Sequence, residues 1–167
     1  MWLFDRANHI RLRNEADGRS RSDWTCHEMW ERDGSAIIYH GTLSNGHLYI
    51  GRVNPDGTGV REIALPASYK RYGHFTVGGP NMLVSDGCYE EDGDRPAKNW
   101  ATGIARWFPL CRSLSSWKSQ DEHPHPIFDH ALRHAYFTSD MDGKRAVYRI
   151  AVNHPRSTGA VVTGLRT

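Results

Sequence analysis

Between Thr25 and Val152 one pattern recurs three times: a histidine-led strand, a turn, an apolar strand, a loop and a second apolar strand. The first pass starts at His27-Glu28-Met29-Trp30, turns at Asp33-Gly34 and predicts strands over 36–40, 48–53 and 60–65. The second starts at His74, turns over 78–80 and predicts strands over 82–85, 103–108 and 111–114, with a polar, acidic loop over 86–99. The third runs through 123–128, 135–139, the turn 141–143 and 146–152, with the tail at 160–162 as its expected fourth strand. Ahead of them, 1–5 and 9–13 read as two short strands followed by a polar turn. Repeats of roughly 45 to 50 residues with four strands each are the signature of β-propeller blades, whose innermost strands line a central channel. The expected fold is therefore all-β, with residues 1–24 ending one blade and 25–66, 67–118 and 119–167 forming three more. No helical period competes with this reading.

Composition narrows the partners. A length of 167 residues suits one ordinary domain or a piece of a larger one. The net charge of +2, with Lys and Arg scattered, argues against a nucleic-acid surface and leaves a small anionic ligand open. Cys26, Cys88 and Cys111 are odd in number and lack C-x-x-C spacing, which predicts a reducing, cytoplasmic setting. No apolar run reaches membrane length, so no membrane partner is expected.

The densest chemistry lies in Gln120-Asp121-Glu122-His123-Pro124-His125-Pro126. A residue before proline is pushed toward extended geometry, so both histidines are predicted to sit on a strand, on one face. Two rises of roughly 3.3 Å would leave their stems ~6.6 Å apart, within reach of one ion. Proline donates nothing to a sheet ladder, which places this clip on an edge strand. Gln120 is a further arm, and His74 joins as a blade-start histidine. Three imidazoles and an amide suit Mn, Fe, Ni or Zn, with the oxygen donor and room for water leaning toward six-coordinate Mn. A site without carboxylate ligands makes sense if an acidic substrate brings its own, and the reaction that most needs such help is proton abstraction beside a carboxylate. The remaining blade-start histidine, His27, is the expected base, with a pKa near working pH. The competing reading makes His27 and His74 hydrogen-bonded core histidines. His9, His40, His47, His130, His134 and His154 are expected at the surface.

The segments Thr25-Cys26-His27-Glu28-Met29-Trp30, Val84-Ser85-Asp86-Gly87, Leu114-Ser115-Ser116-Trp117, Gln120-x-x-His123-Pro124-His125-Pro126 and Phe137-Thr138-Ser139-Asp140 resemble the oligogalacturonate lyases, in the same order. The resemblance implies a seven-bladed propeller that cleaves oligogalacturonides from pectin by β-elimination, leaving a 4,5-unsaturated uronate, with Mn²⁺ as cofactor. It implies metal ligands at His74, Gln120, His123 and His125 and a catalytic base at His27. It also implies an incomplete ring of about three and a half blades, open to self-association at its ends. The family's catalytic arginine precedes the strand matched by Met1-Trp2-Leu3, and Arg6, Arg11 and Arg13 are not its counterpart. A non-catalytic WD40- or TolB-like binding module is the alternative. A cupin-type oxygenase ranks last, because that fold wants a Glu about four residues on and Asp129-His130 does not supply one.

Overall fold

The computed structural model describes residues 1–5, 8–12, 24–43, 45–65, 69–71, 73–79, 82–86, 88–89, 106–152 and 161–166. They are all β apart from one 3₁₀ turn, and among them no helix is long and apolar enough to cross a membrane. The chain divides into two units, after Ala67.

The first unit holds a hairpin, β1 (Trp2–Asp5) and β2 (Asn8–Arg11), and a four-stranded antiparallel sheet. That sheet is β3 (Trp24–Trp30), β4 (Ile37–Thr42), β5 (Leu48–Val53) and β6 (Arg61–Ala64), paired in chain order. The β3–β4 turn is set by Gly34 at φ +72°, a left-handed position that glycine takes without strain, and by Asp33 Oδ1 accepting from Ser35 N. Asp56-Gly57 repeats this chemistry between β5 and β6, with Gly57 at φ +83°.

One face of β4 and β5 meets the core as cross-strand pairs: Ile37 with Val53, Tyr39 with Gly51, and Gly41 with Tyr49. Each tyrosine thus lies opposite a glycine, and a Cβ on Gly51 would stand 2.2 Å from the Tyr39 ring. Both tyrosines are fully buried with Leu12, Ile37 and Val53, against which Met1, Leu3 and Ile10 of the hairpin region pack. Their hydroxyls stay satisfied, Tyr39 donating to Glu62 Oε1 at 3.0 Å and Tyr49 sharing 2.7 Å with Thr25 Oγ1. The other face of β4 carries His40, fully buried and paired with Cys26 of β3. This corrects the expectation that His40 is a surface residue: it belongs to a central strand buried at every position from Ala36 to Gly41.

The second unit contains β7 (Tyr69–Arg71), β8 (Phe75–Gly79), β9 (Met82–Ser85), β10 (Cys88–Tyr89) and β11 (Arg106–Arg112). After the 3₁₀ turn Gln120–Glu122 come β12 (Ile127–Phe128), β13 (His134–Ser139), β14 (Ala146–Ala151) and β15 (Val161–Arg166). Strands β7 and β10 pair, β12, β13 and β14 form a meander, and the third sheet has the order β11-β15-β9-β8.

Two strand expectations are corrected in that last sheet. The tail pairs in parallel with both β9 and β11 and does not extend the meander, which satisfies the second backbone edge of the wholly buried β9. The strands expected over 103–108 and 111–114 are one strand, β11, with its register shifting between Pro109 and Arg112, where proline offers no N–H to the ladder. Residues 103–105, most of the acidic loop and His154 lie outside the described residues.

Strand β13 alternates strictly, burying Ala135, Phe137 and Ser139. Ala135 packs with Val84 and Val152, and Phe128 and Ile150 close over them. A Cβ on Gly78 would lie 2.7 Å from the Phe128 ring, so the bare backbone of β8 admits β12 at close range. That approach carries the segment before β8 toward the segment before β12.

Candidate functional site

Those two segments carry His74, one residue ahead of β8, and the Gln120 to Pro126 turn. The structure brings His74, His123 and His125 together, with one ring nitrogen of each within 4.8 Å of the others. The His74 and His125 rings stack at 3.8 Å, and His123 lies 5.4 Å from His74 between centroids. The Gln120 amide nitrogen stands 3.0 Å from His74 Nε2 and 3.5 Å from His125 Nε2. A half-turn of that amide presents Oε1 at the same position, so it can offer an oxygen to a cation.

The clip is not the edge strand that the proline spacing predicted. Gln120–Glu122 is a 3₁₀ turn, His123 is extended at φ −65° and ψ 138°, and His125 is left-handed at φ +43°. Tertiary bonds override the local preference: His125 N donates to Asp86 Oδ2 at 3.0 Å, and Pro124 O accepts from Thr138 N at 2.8 Å. Such strain in a non-glycine residue persists only where the surroundings over-determine it.

Asp86 is the residue that the sequence reading missed. It is fully buried, and Oδ2 also lies 3.1 Å from His74 Nδ1. By accepting the Nδ1 proton it leaves His74 Nε2 with its lone pair toward the cluster, the usual second partner of a ligating histidine. Its other oxygen, Oδ1, is buried without a hydrogen-bond partner among the described residues. The available signal was its place at the end of the apolar run Met82-Leu83-Val84, where a carboxylate is carried into the interior. Trp117 flanks the site with its ring 4.6 Å from that of His123.

The turn is anchored from behind by Glu122. Its carboxylate accepts from Ser119 Oγ at 2.5 Å and from Arg145 Nε at 2.8 Å, and Ser115 Oγ bonds its backbone carbonyl. Arg145 Nη1 reaches Asp121 at 2.7 Å. The Ser119 hydroxyl first, then Arg145, hold the Glu122 carboxyl below the usual range.

His27 lies in the first unit, in the middle of β3 and not at its start. Its ring meets His40 and Cys26: His27 Nδ1 bonds His40 Nε2 with the rings stacked at 4.6 Å, and Cys26 Sγ lies 3.4 Å from His27 Nδ1. Burial first, then the Glu28 charge, pushes the Cys26 thiol up to about 11. Glu28 itself lines a cleft with Met1, Leu3, Leu12 and Trp30. His9, His47 and His130 are exposed, and His134 is half-buried and bonded to Asp129 at 2.9 Å.

No protein-family model matches the chain. It is 30% identical over 165 residues to the oligogalacturonide lyase of Pectobacterium atrosepticum, covering 89% of this chain and 42% of that protein. It is 27% identical over 168 residues to the oligogalacturonate lyase of Dickeya dadantii, with coverage of 89% and 42%. Among solved structures, the Vibrio parahaemolyticus oligogalacturonate lyase superposes with a TM-score of 0.69 at 26% identity, over 92% of this chain and 42% of that one. An oligogalacturonate lyase in complex with manganese superposes with a TM-score of 0.64 at 28% identity, over 92% and 41%. The chain therefore resembles the oligogalacturonate lyases in sequence and in fold, and spans 42% of the length of the curated relatives it matches.

Proposed function

We propose that this chain supplies the metal-binding and proton-abstracting side chains of a manganese-dependent oligogalacturonate lyase, its sheets serving as about three and a half blades of a seven-bladed propeller. The observation that carries the reading is the convergence of His74, His123 and His125 within 4.8 Å, with Gln120 on the same point and Asp86 behind it. The donor set fits the ion: three imidazoles and an amide oxygen are neutral, contain no sulfur and leave the full divalent charge to meet an acidic sugar. His74, Gln120, His123 and His125 would hold the Mn²⁺. When bound, it supplies positive charge that stabilises the carboxylate-conjugated anion of the elimination, worth several kcal/mol.

The chain's own part is the proton. In this reading His27 accepts the hydrogen from C5, the carbon beside the uronate carboxylate. The released electron pair becomes the C4–C5 double bond and expels the glycosidic oxygen at C4 with its bonding pair, and that oxygen takes a proton from water. The proton rests on the imidazole, and the product carries a 4,5-unsaturated end. His27 suits the task because imidazole accepts and releases protons near neutrality.

Two further elements belong to the same proposal. The thiols of Cys26 and Cys111 are free, which supports a reducing, cytoplasmic setting. Strand β14 is an edge of its sheet among the described residues, and Val147 on it is 72% exposed, which supports self-association of the chain.

The test is turnover of an oligogalacturonide with Mn²⁺ by a complete propeller ring that contains this chain, followed by the ultraviolet absorbance of the unsaturated product. His27→Ala should retain the metal and lose turnover by about 10² to 10⁴-fold, the range for a general base. Full activity in that variant would reject His27 as the base.

A further inference from the structure

We propose that Cys26, His27 and His40 form a second cation site, for a thiophilic divalent metal of the zinc type. One sulfur and two ring nitrogens lie within 4.8 Å of one another, with Cys26 Sγ 3.4 Å from His27 Nδ1 and 3.8 Å from His40 Nε2. A tetrahedral ion bound at about 2.3 Å by sulfur and about 2.05 Å by nitrogen holds such atoms about 3.6 Å apart. The two imidazole nitrogens meet more closely than that, and a turn of the exposed His27 ring admits the ion.

The backbone is built to make this meeting possible. Cys26 and His27 are consecutive, and on a regular strand they would face opposite sides. Between Cys26 and Met29 strand β3 takes three steps while β4 takes two from His40 to Ile38, so one residue is extra and the strand bulges. At that bulge His27 takes φ +52°, a left-handed angle that a residue with a Cβ adopts only at a cost. The result is two adjacent donors turned onto the same partner. His40 is fully buried and fixed in the centre of the sheet, Cys26 is half-buried and His27 is exposed, so the site is closed from below and open above. An open coordination position is left for water or a ligand atom.

The donor chemistry separates this site from the one around His123. Thiolate with two imidazoles selects zinc, cobalt or copper(I), whereas imidazoles with an amide oxygen accept harder ions. A band that arises from the sulfur therefore reports this site alone, even where the same ion also occupies the imidazole cluster. One consequence rests on the proposed role of His27: an ion on Nδ1 leaves the ring's remaining nitrogen protonated, so zinc here would silence the base without displacing manganese.

The experiment uses Co²⁺ as the probe, titrated into the chain and into Cys26→Ser, with circular dichroism as the check on folding. Wild-type chain should take up Co²⁺ with a thiolate-to-cobalt charge-transfer band. Cys26→Ser should lose the band, and His123→Ala should keep it. No band with the folded wild-type chain, or a band that survives Cys26→Ser and so arises from another thiol, overturns the site. In turnover assays of a complete ring that contains this chain, with Mn²⁺ present, Zn²⁺ should inhibit the wild type at least tenfold more strongly than Cys26→Ser. Failure of the lyase reading removes only that last comparison, since the cobalt spectrum decides the site by itself.

Discussion

Asp86 Oδ2 stands 3.1 Å from His74 Nδ1 and takes the backbone N–H of His125 at 3.0 Å, so one buried carboxylate positions two ligands of the candidate metal centre. A carboxylate behind a ligating imidazole fixes its tautomer and raises its basicity, and loss of such a partner costs 10 to 100-fold in affinity, roughly. Asp86→Asn keeps the shape and a hydrogen-bond acceptor while removing the charge. It should weaken Mn²⁺ binding by about tenfold or more with little change in secondary structure. Calorimetric affinities equal to wild type would show that Asp86 is structural only.

Glu122 makes the metal turn acid-sensitive for a reason separate from histidine protonation. Its carboxyl is held below the ordinary range by Ser119 and Arg145. A depressed folded-state pKa gives stability that is fully present above the unfolded value and is lost as pH falls through the folded value. Melting temperatures taken from about pH 7 down to about pH 3 should therefore fall less steeply for Glu122→Gln than for wild type, from a lower neutral-pH start. Parallel curves would remove Glu122 from the account of the turn.

The tyrosine-over-glycine pairs of the first unit carry a stability prediction. A Cβ at Gly51 would lie 2.2 Å from the Tyr39 ring, and both residues are buried, so neither can yield cheaply. Gly51→Ala should destabilise by about 1–3 kcal/mol, the usual range for overpacking a filled core. Unchanged denaturant midpoints would mean that Tyr39 has room to move.

What the sequence disclosed and what it withheld follow the range of the forces involved. The strands near 2–5, 48–53 and 134–139 were legible because alternation and the Asp-Gly turns are local signals. The proximity of His74 to the Gln120–His125 segment was legible from the phase of the repeats. The left-handed His125 was not, because Asp86, thirty-nine positions away, overrides the preference imposed by Pro126. His40 looked like a surface residue because its burial depends on β3 and β5 lying to either side. The bulge at His27 and the pairing of the tail with β9 are likewise decided by partner strands, and no local pattern encodes them.

Uptake of Mn²⁺ by the chain decides whether His74, Gln120, His123 and His125 hold an ion. Free aquated Mn²⁺ gives a sharp six-line electron paramagnetic resonance signal that broadens on binding, so titration into the chain counts bound ions. One Mn²⁺ per chain is expected, abolished in His123→Ala and in His125→Ala and retained in His27→Ala. Uptake by His123→Ala and His125→Ala equal to that of wild type, or no uptake by the folded wild-type chain, would contradict that assignment.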